Sequence, residues 1–362
     1  PDGRTVTLTL DSALAIGSTY DVTLSNLTGS GGAPLSGSNT GQFVNWDNDP
    51  AGIKVFMLIG QSNMVGYGYT EVGGNPAWTP ENGEPKELVG GPGCLRYLAK
   101  NNGTYPEYDY TSLLSNPADT DSPWANRNDV VVWWEQGVSG NLNGTEGFGP
   151  LGPPFRGGST DWFGPEYAFG QVIGDLYDGP TEAPVLIIKA AWGGHSLGGN
   201  FRPPSAVADR GGVVGASYNE IFDNARTLLA GLSTKFPAAQ YPELAAVGYR
   251  YEIAGIAFHQ GYTDRVTASL SPEYQENLPD FIHDVRGGFG NPDMPFVIAS
   301  TGMDTSFVEA APYPNYSEVE QAQLWIVGEP QPANVLSSDT RSFMEAAVDS
   351  PRNQGFHWHG NA

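Results

Sequence analysis

Apolar and polar positions alternate strictly over residues 5–10, and Tyr20, Val22 and Leu24 repeat the same two-residue period, as half-buried antiparallel strands require. Phe43 and Val44 mark a third short strand. From residue 52 the pattern changes. Val55-Phe56-Met57-Leu58-Ile59 is an unbroken apolar run, expected of a parallel strand covered on both faces. Similar runs recur at residues 185–191, 253–258, 296–299 and 335–337. Helical periods lie between them, one with Phe169, Val172, Ile173 and Leu176 on its apolar stripe. A second carries Tyr218, Ile221, Phe222, Ala225, Leu228, Leu229 and Leu232. A third opens at Ser271-Pro272-Glu273 and buries Tyr274, Leu278, Phe281, Ile282 and Val285, with Pro279 expected to kink or split it. Strands alternating with helices predict an α/β domain, an open parallel sheet with helices on both faces.

Three strands are few for an independent sandwich, and their pattern resembles the closing strands of a bacterial immunoglobulin-like module. Residues 1–48 are read as the C-terminal part of such a module, and residues 52–362 as the α/β domain. Pro1 then falls inside a module and Ala362 ahead of an expected final helix, so the chain is read as processed or truncated. Residues 66–164 are dense in Gly, Pro, Asn and Asp, with one short apolar piece at residues 130–134. They form a loop-rich elaboration over the sheet that shapes a cleft.

Composition narrows the partners. Forty Asp and Glu against seventeen Lys and Arg leave a net charge of -23, which repels phosphate backbones and anionic lipid surfaces, so neither nucleic acid nor membrane is expected as a partner. One cysteine, Cys94, excludes an internal disulfide and any cysteine-based metal cluster. Forty-eight Gly and 29 Pro among 362 residues mark a loop-rich protein, and loops of this kind carry sites.

The chemistry centres on Gly60-Gln61-Ser62-Asn63-Met64, directly after the first buried run. A serine at the carboxyl end of a parallel strand projects its hydroxyl into the crevice where ligands bind. A helix opening there would aim N–H groups at a developing oxyanion; alternatively, Ser62 is only a helix N-cap. The full string resembles the nucleophile block of the SGNH-type hydrolases, in the branch of sialate O-acetylesterases and family 6 carbohydrate esterases. Phe163-Gly164-Pro165-Glu166, Lys189-Ala190-Ala191-Trp192-Gly193-Gly194, His259-Gln260-Gly261-Tyr262-Thr263-Asp264 and Gln354-Gly355-Phe356-His357-Trp358-His359 are similar to its further blocks, in the same order.

That resemblance implies a three-layer, flavodoxin-like sandwich and a serine esterase that removes short acyl groups, chiefly acetyl, from oligo- or polysaccharides without a cofactor or metal. Such enzymes are expected to be secreted or exposed at the bacterial surface. The implied nucleophile is Ser62. The implied oxyanion donors are the Ser62 N–H, the N–H of Gly194 or Gly193, and the Gln260 side-chain amide. Of five histidines, the resemblance selects His357 as base, ahead of His359. An Asp often stands three residues before this histidine, but here the position is Gln354. The orienting group is therefore Asp264, Asp339, a backbone carbonyl or nothing, the last leaving a Ser-His dyad. Gln61, Asn63, Trp192 and His195 are assigned to the substrate cleft, as are His259, Tyr262 and His359. Trp133 and Trp134 are further candidates for an aromatic sugar platform, with core packing the commoner fate of tryptophan. Two other functions compete: a non-catalytic carbohydrate-binding protein, and a glycoside hydrolase using two carboxylates such as Glu166 and Asp264.

Overall fold

The computed structural model describes residues 11–23, 40–71, 94–103, 108–135, 146–153, 162–178, 183–301, 316–326 and 332–340. Strands β1 (Thr19–Thr23) and β2 (Thr40–Val44) form an antiparallel ribbon by themselves, with Tyr20 stacked on Phe43. The alternating stretch at residues 5–10 lies outside the described residues.

A seven-stranded sheet organises the rest. β3 (Ile53–Gly60) leads into a single helical turn, α1 (Ser62–Val65), and then to the two-residue strand β4 (Gly68–Tyr69). The elaboration contributes α2 (Leu95–Lys100), β5 (Arg127–Glu135), β6 (Glu146–Leu151) and β7 (Trp162–Phe163). Next come α3 (Glu166–Leu176), β8 (Val185–Ala191), α4 (Pro204–Arg210), α5 (Ala216–Ala230), α6 (Leu232–Lys235) and α7 (Pro242–Ala246). The chain continues through β9 (Tyr251–His259), α8 (Tyr262–Val266), α9 (Tyr274–Gly288), β10 (Phe296–Ala299), α10 (Tyr316–Trp325) and β11 (Val335–Ser338).

The sheet order is β11-β10-β9-β3-β8-β5-β6, parallel throughout except for the β5–β6 pair. β3 sits at the centre because both its faces are apolar. Val55, Met57 and Ile59 enter the core beneath α5 and α9, while Phe56 and Leu58 enter the core shared with α2 and α3. The five apolar runs seen in the sequence are β3, β8, β9, β10 and β11. The apolar piece at residues 130–134 is also a sheet strand, β5, so the elaboration extends the sheet as well as lying over it.

Helices α5 and α9 bury the stripes their sequences predict. α9 runs unbroken through Pro279. The proline leaves only the Gln275 carbonyl without its helical donor, and Gln275 is exposed, where water can hydrate that carbonyl.

α3 presents only half of its expected stripe to the core: Phe169 and Ile173 pack against it. Val172 and Leu176 are 54% and 65% exposed, whereas Tyr167, Gly170, Gln171 and Gly174 face inward. A Cβ on Gly170 would lie 2.6 Å from Leu151 and 3.0 Å from Ile187, and one on Gly174 would run into the Arg127 guanidinium. Two glycines one turn apart let the helix lie closer to the sheet than a leucine stripe permits.

We therefore expect Gly170→Ala to cost about 1–3 kcal/mol through overpacking, although alanine is the better helix former by about 1 kcal/mol. Val172→Ser on the exposed face should change stability by less than about 0.5 kcal/mol. Urea denaturation of both variants measures the difference; a Gly170→Ala protein as stable as wild type would refute the close approach.

Candidate active site

In the order β8-β3-β9, the chain leaves the central strand towards β8 on one side and β9 on the other, and ligands bind at such a switch point outside the strand ends. Three loops meet there. Ser62 follows β3, Gly193-Gly194 follows β8, and Gln260-Gly261 follows β9. The loops are laced together at backbone level: Gln61 N–H donates to the His259 carbonyl and Trp192 N–H to the Gly60 carbonyl, both at 3.1 Å. Gly60 is glycine because a Cβ there would fall on the His259 carbonyl and within 2.8 Å of Met64 Cβ.

Ser62 is half-buried and is the first residue of α1, while Gln61 holds the cap position without a side-chain cap bond. The N-cap reading of Ser62 is thereby set aside. The expected helix is one turn only, too short for a sizeable macrodipole, so individual N–H groups must serve as donors. Ser62 lines a small pocket with Gln61, Asn63, His259, Gln260, Gly261, Tyr262 and Thr301. Gly193 and Gly194 form an exposed turn beside it, and among the described residues no backbone acceptor takes either amide.

Two larger grooves, of about 810 and 740 Å³, flank Trp325 between α9 and α10 and share no residue with the Ser62 pocket. Size does not identify the site here, because nothing in either groove matches the serine and convergent N–H groups at the strand ends.

Behind the pocket lies a buried polar net. Gln61 is 3% exposed, and its Oε1 accepts from Gln260 Nε2 (3.2 Å), Gly261 N (3.3 Å) and Thr263 N (3.3 Å). Gln260 is fully buried; its Nε2 donates also to the His195 carbonyl (3.1 Å) and to Asp264 Oδ2 (2.5 Å). Turning this amide over would set its oxygen against three acceptors, so the side chain is locked with its donors inward. In this arrangement the Gln260 amide holds the loops together, although the residue also lines the pocket beside Ser62.

Asp264 is also fully buried and accepts from Leu197 N and Gly198 N, each at 2.8 Å. Both its oxygens thus hold the loop that continues from Gly193-Gly194. Burial pushes its carboxyl up to about 6 against the pull of these hydrogen bonds. Gln323 on α10 closes the net, donating to the Gln260 carbonyl (2.5 Å) and accepting from Thr301 N (2.9 Å).

On the other side of α1, Lys189 and Glu166 form a fully buried ion pair at 2.7 Å, and Lys189 Nζ also donates to the Val65 carbonyl at 2.7 Å. The pair ties the end of the nucleophile turn to β8 and to the start of α3. Glu166 is thereby removed from any glycosidase-like role: no substrate reaches a 0% exposed, paired carboxylate.

Several other expected cleft residues are structural. Trp192 is 0% exposed and stacks with His195, whose Nδ1 meets Ser217 Oγ at 2.8 Å and whose pKa burial lowers. Trp133 and Trp134 are core residues. Gln61 belongs to the net. His259 and Tyr262 do line the pocket; the dense surroundings of His259 push its pKa down to about 4, so it is neutral near pH 7. Tyr262 stacks beneath the Arg265 guanidinium at 4.7 Å. Asp339 is exposed just after β11. His357, His359 and Gln354 lie outside the described residues.

Sequence reasoning overlooked two half-buried aromatic residues, Tyr67, whose hydroxyl lies near Gly193, and Trp162, which packs on Tyr67. The signal available was their position, one immediately after the nucleophile turn and the other immediately before the Phe163-Gly164-Pro165-Glu166 block.

A half-buried serine thus stands at the end of the central strand of a three-layer α/β fold, with the exposed Gly193-Gly194 turn following the neighbouring strand. The chain belongs to the carbohydrate esterase, sialic acid-specific acetylesterase family, whose profile matches residues 149–343. The matched stretch contains Gly193, Gly194, Gln260, Asp264 and Asp339; Ser62 precedes it and His357 follows it. No curated protein is a significant match.

Among solved structures, the chain is similar to an Arabidopsis thaliana protein, at 14% identity and TM-score 0.45 over 85% of this chain and 91% of that one. It is also similar to a carbohydrate acetylesterase from Xanthomonas citri, at 13% identity and TM-score 0.44 over 85% and 52% of the two chains. A third is NanS, at 13% identity and TM-score 0.42 over 86% and 92%.

Two expectations follow. Gln260→Ala should lower stability by about 1–3 kcal/mol, because it strips partners from buried Gln61, Asp264 and the His195 carbonyl. A variant of unchanged stability whose turnover falls by about 10²–10³ would restore Gln260 as an oxyanion donor.

The second concerns pH. Asp264 holds its proton more tightly in the fold, at about 6, than at its ordinary 3.8. Its contribution to stability is therefore fully present below about 3.8 and is lost as pH rises through about 6, on the order of 3 kcal/mol. Denaturation at pH 4 and pH 7 should show this component in wild type and not in Asp264→Asn. Equal pH dependence in the two proteins would refute the raised value.

Proposed function

We propose that this carbohydrate esterase is an O-acetylesterase working through an acyl-enzyme on Ser62. The observation that carries the reading is the placement of Ser62 and of the Gly193-Gly194 turn directly after the adjacent parallel strands β3 and β8, and the amides of Ser62 and of that turn are taken as the oxyanion donors. In the reaction, a base takes the Ser62 proton, Oγ bonds to the acetyl carbonyl carbon, and the backbone amides hold the oxyanion. The bond between the carbonyl carbon and the sugar oxygen then breaks, the sugar alcohol leaves with that proton, and water releases acetate from the serine.

His357 is the proposed base, from its position in the last block. Asp264 is less suited to orient it, since both carboxylate oxygens already hold backbone amides; Asp339 or a Ser-His dyad fits better. Gln260 acts through Gln61 and Asp264 rather than on the substrate. The pocket beside Ser62 is small and is lined by Gln61, Asn63, His259, Gln260, Gly261, Tyr262 and Thr301. Relatives of similar fold include a carbohydrate acetylesterase, in keeping with an acetylated oligo- or polysaccharide as substrate, met outside the cell.

Purified protein should release acetate from acetylated glycans without added metal, and Ser62→Ala should abolish this while melting like wild type. His357→Ala should lose nearly all turnover and His359→Ala retain much of it. Full activity in Ser62→Ala overturns the mechanism, and the reverse histidine ranking reassigns the base.

A further inference from the structure

Resting on the esterase reading, we infer that Tyr67 and Trp162 form an aromatic wall that receives the pyranose ring of the substrate. After α1 the chain passes through Gly66 and Tyr67 into β4, which pairs antiparallel with β7, Gly68 opposite Phe163 and Tyr69 opposite Trp162. This two-residue ribbon brings Trp162 against two tyrosines. Its ring centroid lies 5.9 Å from that of Tyr67, tilted by 43°, and 5.9 Å from that of Tyr69, nearly perpendicular at 78°. Tyr69 is 7% exposed and Phe163 4%, so they anchor the cluster, while Tyr67 and Trp162 keep part of their surface in solvent.

The cluster stands next to the chemistry. The Tyr67 hydroxyl lies 3.8 Å from the point where a Cβ on Gly193 would sit. Gly193 therefore leaves an open space bounded on one side by Tyr67 and on another by the turn that supplies an oxyanion amide. In the tetrahedral adduct on Ser62, with its oxyanion at that turn, the alcohol portion is directed out of the small pocket. The aromatic wall borders that exit.

The C–H faces of a pyranose match such a surface: they pack on aromatic rings while the hydroxyls stay hydrated or bond to polar tips such as the Tyr67 hydroxyl. No other tryptophan of the second strand-end block or of β5 can act this way, because Trp192, Trp133 and Trp134 are 0–2% exposed.

The test compares an acetylated pyranose with ethyl acetate, which shares the acyl group and lacks the ring. Trp162→Ala should lower kcat/KM for the sugar ester about tenfold more than for ethyl acetate, mainly through KM, and Trp162→Phe should recover most of the difference. Equal losses on the two esters, or none on the sugar, would overturn the inference. Calorimetry in a Ser62→Ala background separates this from the esterase reading. There, adding Trp162→Ala should weaken binding of the acetylated pyranose about tenfold, and unchanged binding sinks the wall even if hydrolysis is confirmed. Wild-type protein that hydrolyses neither ester would sink the esterase reading, while the binding comparison still decides the wall.

Discussion

Three N–H groups converge on one buried oxygen, Gln61 Oε1, and the site depends on that convergence. Strands of a parallel sheet end with amides that have no further ladder partner, and burying such a group unpaired costs about 1–3 kcal/mol. Gln61 satisfies two backbone amides of the β9 loop, and Gln260 and Asp264 extend the same solution to the loop after β8. The three loops are therefore not independent. Each holds its neighbours in the one arrangement that leaves the buried donors satisfied, and preorganised donors at a developing charge need exactly this kind of rigidity to lower a barrier.

The price of this arrangement is visible in its charges. Asp264 is ionised near neutral pH although burial disfavours it, and the Lys189–Glu166 pair is wholly removed from water. Replacing a buried pair with apolar residues of similar volume is often neutral or stabilising, whereas removing one member costs about 3–5 kcal/mol. Lys189 also reaches the Val65 carbonyl, which an apolar residue cannot do. The pair thus fastens the end of a four-residue turn too short to hold its own position, and Ser62, the proposed nucleophile, inherits that fixity.

The segment between the nucleophile turn and α3 serves two ends. β5 and β6 lengthen the sheet beyond β8, while β4 and β7 pair apart from it and build the aromatic cluster whose Tyr67 hydroxyl comes near Gly193. The elaboration thus supplies much of one core, with Leu95, Leu98, Val130, Val132, Trp134 and Phe163 among its buried residues, as well as the aromatic cluster.

Much of the architecture was legible in the chain. Runs such as 55–59 and 185–191 are apolar at every position because both faces of a central parallel strand are covered, and the stripes of α5 and α9 recur at the helical period because one face meets the sheet. The position of Ser62 was legible too, since a strand ending in Gly60 and followed by a polar turn must place its next residues at the crevice. Other features were not. α3 keeps Phe169 and Ile173 against the core but turns its glycines inward and its Val172 and Leu176 outward, because Leu151, Ile187 and Arg127 leave no space for a side chain at Gly170 and Gly174. Trp192, His195 and Gln260 carry the chemistry of a binding surface and yet lie in the wall, while Tyr67 and Trp162, in a stretch read as loop, lie on it. A residue's type states which contacts it can make; which of them it does make depends on strands and loops brought together from distant parts of the chain, and only the tertiary structure decides that.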